Sequence, residues 1–279
     1  MKREQELKQQ LTMIKENNWE IPRGVDPYVL SLEMLDNIGS IDSQLRDSLI
    51  LGAFLRVIIN KKISYEQMKE LLKLCLSEEH LFYGVGKIDD DSVFNRTFTI
   101  CIVESIISVN NKHEEGFLNE SEVLLVYNEV MRYFTNEKDL RGYVEGKGWA
   151  HSSAHTADAL CVLAENKFIK HKELMEILEI IKEKICVDTY TYINEEEERL
   201  INAFMCIYNR NIIRNKDIIK WIYSFEVVGK RGKYPAEEHL RENRKVFLRS
   251  LFFRFKKFNL DESLIKAVEQ VLNNLPTFF

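Results

Sequence analysis

The sequence contains few of the residues that interrupt helices. Among its 279 residues there are only four prolines and eleven glycines, the two residue types that most often mark turns and helix ends. Their scarcity argues against the many short strands and tight turns of an all-β protein. Leucine, glutamate and lysine are frequent and favour helix, so we expect long helices.

No two cysteines stand in the CxxC spacing that is typical of zinc-binding and redox motifs. The five cysteines are odd in number, widely spaced and placed within apolar stretches. This pattern disfavours a cysteine zinc site and predicts buried, reduced thiols, which in turn indicates a cytoplasmic location. The cysteines are Cys75, Cys101, Cys161, Cys186 and Cys206.

Long apolar runs and a large excess of one charge are also absent. The net charge is −5, and no apolar run approaches the roughly 20 residues that span a bilayer. The first residues, MKREQELKQQL, lack the apolar core of a signal peptide. We therefore expect no membrane partner, and nucleic acid is not a favoured partner either.

Apolar residues recur with helical spacing along nearly the whole chain. Short connections between helices make antiparallel neighbours, so we predict a single all-α domain over residues 1–279. Its antiparallel helical hairpins would stack into an α-solenoid or superhelix of the HEAT or armadillo kind, with a helical toroid as the alternative. Ser64 before Gln67 and Asn194 before Glu197 have the spacing of capping boxes. The predicted helices cover residues 2–18, 27–38, 42–60, 64–78, 91–110, 119–135, 148–166, 170–185, 194–209, 214–225, 236–257 and 261–274.

Residues 139–158, which read DLRGYVEGKGWAHSSAHTAD, differ in composition from the rest and are called the glycine–histidine segment below. Three of the eleven glycines fall within seven positions, just before a predicted helix. Glycines at a helix N-terminus free several N–H groups to bind an anion, although they can equally form a tight helix connection. The candidate ligand-binding residues are Arg141, Gly146, Lys147, Gly148 and Trp149.

Two imidazoles and a carboxylate share one stripe of the predicted helix 148–166. At 100° per residue, His151, His155 and Asp158 lie within about 60° of one another. His151 and His155 could bind a divalent metal, which is not the favoured interpretation because no third ligand is evident. All three could act in catalysis, through proton transfer or by holding a ligand. The third interpretation is that they are hydrogen-bonded core residues.

The run RGYVEGKGWAHSSAHTAD resembles the signature of a bacterial family known as domain of unknown function 2785. The stretches SVFNRTF at 92–98, NEEEERL at 194–200 and NRKVFLRSLFFRF at 243–255 are similar to the same family's pattern. An aspartate is expected among the glutamates of the second stretch and is missing here. The resemblance implies a helical, solenoid-like bacterial protein and implies no particular activity.

Two further charged features bear on function. Arg96, on a predicted helix, would join helices by pairing with an acid such as Asp158 or Glu198. Residues 229–257 are rich in lysine and arginine, and a set on one helix face would suit RNA, DNA or an acidic partner: Arg241, Lys245, Arg249 and Lys256.

We rank first a helical scaffold that binds a small anionic ligand at the glycine–histidine segment, where hydrolysis or group transfer would suit the residues present. The alternative is a scaffold that binds a protein partner and uses its histidines structurally. The sequence alone leaves open whether the chain is an enzyme.

Overall fold

A computed structural model describes residues 2–275, and in that range the chain forms twelve α-helices. Met1 and residues 276–279, which belong to the predicted domain 1–279, lie outside the described range. The helices are α1 (Lys2–Glu16), α2 (Pro27–Asp36), α3 (Leu51–Ile59), α4 (Tyr65–Cys75), α5 (Ser92–Lys112), α6 (Glu120–Asn136), α7 (Ser152–Glu165), α8 (His171–Ile185), α9 (Glu196–Asn209), α10 (Asn215–Tyr223), α11 (Ala236–Lys257) and α12 (Glu262–Asn274).

The all-α prediction is confirmed, and most helix bounds agree within a few residues. The predicted helix 42–60 consists of a π-helical segment (Gln44–Ile50), called the π segment below, which continues directly into α3. The predicted helix 148–166 begins only at Ser152, because a short β-hairpin precedes it: β1 (Tyr143–Val144) and β2 (Gly148–Trp149).

The two predicted capping boxes have different outcomes. Ser64 accepts a hydrogen bond from the Gln67 N–H at 3.2 Å, and the Gln67 side chain accepts one from the Ser64 N–H at 2.9 Å. The prediction of a capping box at Asn194 is wrong, because α9 begins at Glu196. The N-cap of α9 is Glu195, which has a left-handed conformation. The Asn194 N–H instead donates to the Glu196 carboxylate at 2.9 Å.

The chain divides into two compact units between Leu163 and Ala164. In the first unit α5 is the central element, packed against α3 and α4, and most of its residues are buried. Among the described residues it is the one helix long and apolar enough to cross a membrane, but 78% of its apolar window is buried inside the protein. Its composition is therefore that of a core helix.

The second unit is organised around α11, which packs against α8, α9 and α12. Its core is rich in aromatic side chains that contact one another in series. The Phe204 ring stacks on Trp221 at 5.5 Å, and the Phe225 ring stacks on Phe247 at 5.5 Å. Such ring pairs add to the free energy gained from burial alone.

The cysteines follow the prediction only in part. Cys75, Cys101 and Cys186 are free thiols, and burial raises the pKa of Cys186 to about 11. Cys161 and Cys206 are disulfide-bonded, so the prediction of reduced thiols is wrong for these two.

Candidate functional site

The first half of the glycine–histidine segment forms the β-hairpin. Tyr143 pairs with Trp149 and Val144 with Gly148, which leaves a loop of three residues. Gly146 in this loop has φ +72°, a left-handed conformation that three-residue hairpin loops commonly require. The glycines therefore build a hairpin here rather than the open start of a helix.

Gly148 allows the hairpin to lie directly against the π segment. Its φ is +82°, and an added Cβ would stand 2.7 Å from the Ser43 Cβ and 2.9 Å from the Asp47 Oδ2. Arg46 donates to the Lys147 carbonyl oxygen at 2.6 Å, and Asp47 accepts from the Trp149 N–H. The close approach that Gly148 permits is therefore one between the hairpin and the π segment of the same chain.

The two cations proposed for anion binding are both paired with carboxylates. The Lys147 Nζ lies 2.7 Å from each carboxylate oxygen of Asp91. Arg141 donates to Asp139 at 2.6 Å and to the Asp90 carbonyl oxygen at 3.1 Å. The hydrogen bond from Arg141 to the fully buried Asp139 raises the pKa of the arginine. Both cations are therefore already engaged in ion pairs, Arg141 with a buried carboxylate and Lys147 with a partly exposed one.

His151 does not lie on the helix with His155 and Asp158. It immediately precedes α7 with φ +48°, and its N–H donates to the Arg141 carbonyl oxygen at 3.0 Å. The side chain stacks beneath the ring of Trp149, with centroids 4.3 Å apart and planes inclined by 27°. The prediction of a helical position for His151 is thus wrong.

His155 lies within α7 and faces α5. Its Nδ1 is 3.2 Å from the Thr97 carbonyl oxygen, and its ring meets Phe98 edge to face at 5.3 Å. The His151 and His155 rings are 5.9 Å apart and nearly perpendicular, so the structure does bring the two imidazoles together. Asp158, one turn further along α7, is partly buried.

The histidines lack the surroundings of a metal centre. A structural or catalytic zinc site takes at least three protein ligands. Within residues 2–275, no group of three His, Cys, Asp or Glu residues that includes either histidine places its ligand atoms within 4.8 Å of one another. The metal interpretation consequently gains no third ligand from the fold.

A buried ion pair that the sequence did not identify stands beside the segment. Arg96 on α5 donates to both carboxylate oxygens of Glu137, at 2.6 and 3.0 Å, and both side chains are fully buried. Arg96 does join parts of the fold as predicted, but its acid is neither Asp158 nor Glu198. Glu198 instead pairs with Arg254. Glu137 directly follows α6 and lies in a loop, where no hydrophobic periodicity indicates whether its side chain points inward.

The predicted basic face of α11 is incomplete. Arg241 is buried and pairs with Glu238 and Glu242. Lys245 is partly buried, while Arg249 and Lys256 are exposed. Burial of Arg241 removes one end of the stripe, because its charge is compensated by the glutamates of its own helix.

A model of the family described as a protein of unknown function (DUF2785) matches residues 81–253. This match covers well over half of the chain and includes the whole glycine–histidine segment. The chain belongs to this family. Searches of curated proteins and of solved structures give no significant match.

Proposed function

We propose that this protein is a non-catalytic helical scaffold that binds a protein partner through the exposed face of its β-hairpin. The observation that carries the proposal is the pair of aromatic side chains on that face. Tyr143 is 53% exposed and Trp149 is 39% exposed, and their rings meet edge to face at 5.2 Å. Tyrosine and tryptophan are the residue types most enriched at the centres of protein interfaces.

The aromatic pair is held in place from behind. Trp149 rests on the ring of His151, and the backbone of Lys147 and Trp149 is fixed to the π segment by Arg46 and Asp47. A binding surface that is ordered before it meets its partner loses less entropy on association. The hairpin therefore has the rigidity expected of an interaction site.

The charged groups of the segment favour this function over catalysis. Arg141 and Lys147 would have to leave Asp139 and Asp91 in order to hold an anionic substrate. The Nδ1 of His155 is directed at the Thr97 carbonyl oxygen. In this proposal both histidines have structural roles, and the partner is a protein rather than a small anion.

The proposal includes the finer architecture expected from the sequence. Stacked antiparallel hairpins, in a single domain of a bacterial protein, would provide the extended surface that helical solenoids use for partners. The packing of α5 against α3 and α4 supports such stacking within the first unit.

A peptide selection tests the aromatic face and does not require the partner to be identified first. A phage-displayed peptide library would be selected on the wild-type protein, without prior depletion on any variant. We expect the selected peptides to bind the wild type, and Tyr143→Ala and Trp149→Ala to raise the Kd by at least about tenfold, as for truncated hot-spot residues.

The matched control is Phe253→Ala, which removes an aromatic side chain that is 69% exposed on α11. This variant should bind the selected peptides with unchanged Kd, and circular dichroism should show that all variants keep their helix content. Peptides that bind Trp149→Ala as tightly as the wild type would contradict the proposal.

A further inference from the structure

An apolar trough runs between α4 and α6 in the first unit. It encloses about 560 Å³, within the range of cavities that bind ligands. Leu125, which faces it from α6, is 56% exposed, a large apolar surface left in water by the fold. The apolar lining residues are Leu72, Leu76, Leu118, Leu125 and Val126.

Two ion pairs lie at the ends of the trough and indicate the relative direction of α4 and α6. Lys69 on α4 lies 2.9 Å from Glu122 in the first turn of α6. Beyond the end of α4, Glu78 lies 3.3 Å from Arg132 near the end of α6. The two helices therefore run parallel, and at 1.5 Å per residue the trough follows about 15 Å of α6. That length equals roughly three turns of a helix.

The two rims of the trough carry net charges of opposite sign. The α4 rim presents Lys69 and Lys73 with one acid, Glu70, while the α6 rim presents Glu122 and Glu129 with one cation, Arg132. Lys73 is exposed and forms no ion pair with any described residue. An apolar seam flanked by charges of opposite sign is the pattern by which helices select a partner helix and its orientation.

We propose that this trough receives an amphipathic helix of about three turns from a partner protein. The apolar stripe of that helix would cover Leu125 and the neighbouring leucines, with its acidic flank along α4 and its basic flank along α6. This helix-in-groove mode rests on the proposed function as a partner-binding scaffold but uses a surface other than the hairpin.

A pair of synthetic peptides tests the proposal on the full-length protein by fluorescence anisotropy. The first is a labelled peptide of about 14 residues, with leucines at helical spacing, glutamates on one flank and lysines on the other. The second has the same leucines but lysines on both flanks, so that it cannot match the α4 rim in either direction. We expect the peptide with the complementary arrangement to bind more tightly, and Leu125→Asp to raise its Kd by about tenfold or more.

Two variants separate the trough from general apolar adhesion. Ile88→Asp, at a side chain that is 63% exposed, should leave the Kd unchanged. Lys73→Glu should weaken the complementary peptide and strengthen the all-lysine one, each by about two- to fivefold, as expected for an exposed ion pair. Equal binding of both peptides, or a Kd insensitive to Leu125→Asp, would overturn the proposal.

Further outcomes distinguish this proposal from its alternatives. A concentration-dependent dimer in sedimentation that Leu125→Asp abolishes, without peptide binding, would show that a second copy occupies the trough and would overturn the inference. Trp149→Ala should not change peptide binding here. A failed hairpin experiment with a successful trough experiment, or the reverse, therefore identifies which of the two surfaces is wrong.

Discussion

The buried ion pair between Arg96 and Glu137 should be among the most sensitive points of the fold. Both side chains are fully buried, and the guanidinium meets both carboxylate oxygens. Burial opposes the charge of Arg96, but the Glu137 carboxylate outweighs this effect and raises the pKa of the arginine. Glu137→Gln keeps the shape of the side chain and removes its charge, so it isolates the electrostatic part of the interaction.

The expected loss follows from what the substitution leaves behind. Arg96 would remain a buried cation that still donates to the Tyr83 carbonyl oxygen and the Ser92 hydroxyl, both at 2.8 Å, but it would lose the carboxylate that is hydrogen-bonded to it. Removing one partner of a buried pair costs about 3–5 kcal/mol. The N–H groups of Lys138 and Asp139, which donate to the Glu137 carboxylate at 2.9 and 3.0 Å, would also lose a charged acceptor. We therefore expect a loss of at least about 3 kcal/mol.

Urea unfolding followed by circular dichroism measures this loss. The matched control is Glu176→Gln, at a glutamate whose partner Lys172 is 80% exposed, and we expect it to change the free energy of unfolding by less than about 1 kcal/mol. The double variant Arg96→Met with Glu137→Gln should recover part of the loss, because no buried charge then remains unpaired. If Glu137→Gln costs no more than Glu176→Gln, the argument from buried charge is refuted.

Two further predictions concern the hairpin and the pH response. Gly148→Ala should destabilise the protein by about 2–4 kcal/mol in urea unfolding, since it combines an unfavourable φ with a clash against Ser43. Gly146→Ala, which has a positive φ but open space around it, should cost only about 1 kcal/mol, and equal losses would contradict the packing argument. Burial lowers the pKa of His80 against the opposing effect of nearby carboxylates, so the unfolded chain binds its proton more readily than the fold does. The free energy of unfolding should therefore fall as the pH drops below about 6.5, and the fall should end once the pH is below the lowered pKa of His80. The fall should be smaller in His80→Gln. If the free energy of unfolding depends on pH in the same way in both proteins, His80 does not have this role.

The helices could be predicted from the sequence because their signals are local. Apolar spacing and caps such as Ser64 with Gln67 lie within a few residues of one another, and they fix bounds independently of the rest of the fold. The hairpin could not be predicted in this way. Its strands are two residues long, too short for a period, and Gly148 takes its conformation from contacts with Ser43 and Asp47, about a hundred positions earlier.

The charge partners were beyond prediction for a related reason. Arg96 and Glu137 are 41 positions apart, and Lys147 and Asp91 are 56 apart. Several acids precede α5 and follow α6, so composition alone offered many candidates for each cation. The choice among them depends on which side chains the tertiary fold turns inward.

The composition of the glycine–histidine segment is unusual, yet most of it serves the fold. Gly146 and Gly148 form and seat the hairpin, while Arg141 and Lys147 pair with aspartates. None of these roles requires large aromatic side chains on the outer face of the hairpin. Tyr143 and Trp149 nevertheless remain 53% and 39% exposed, and their apolar surface leaves water only when something covers it. That exposed surface is the physical reason to seek the function in a partner that binds it rather than in chemistry at the histidines.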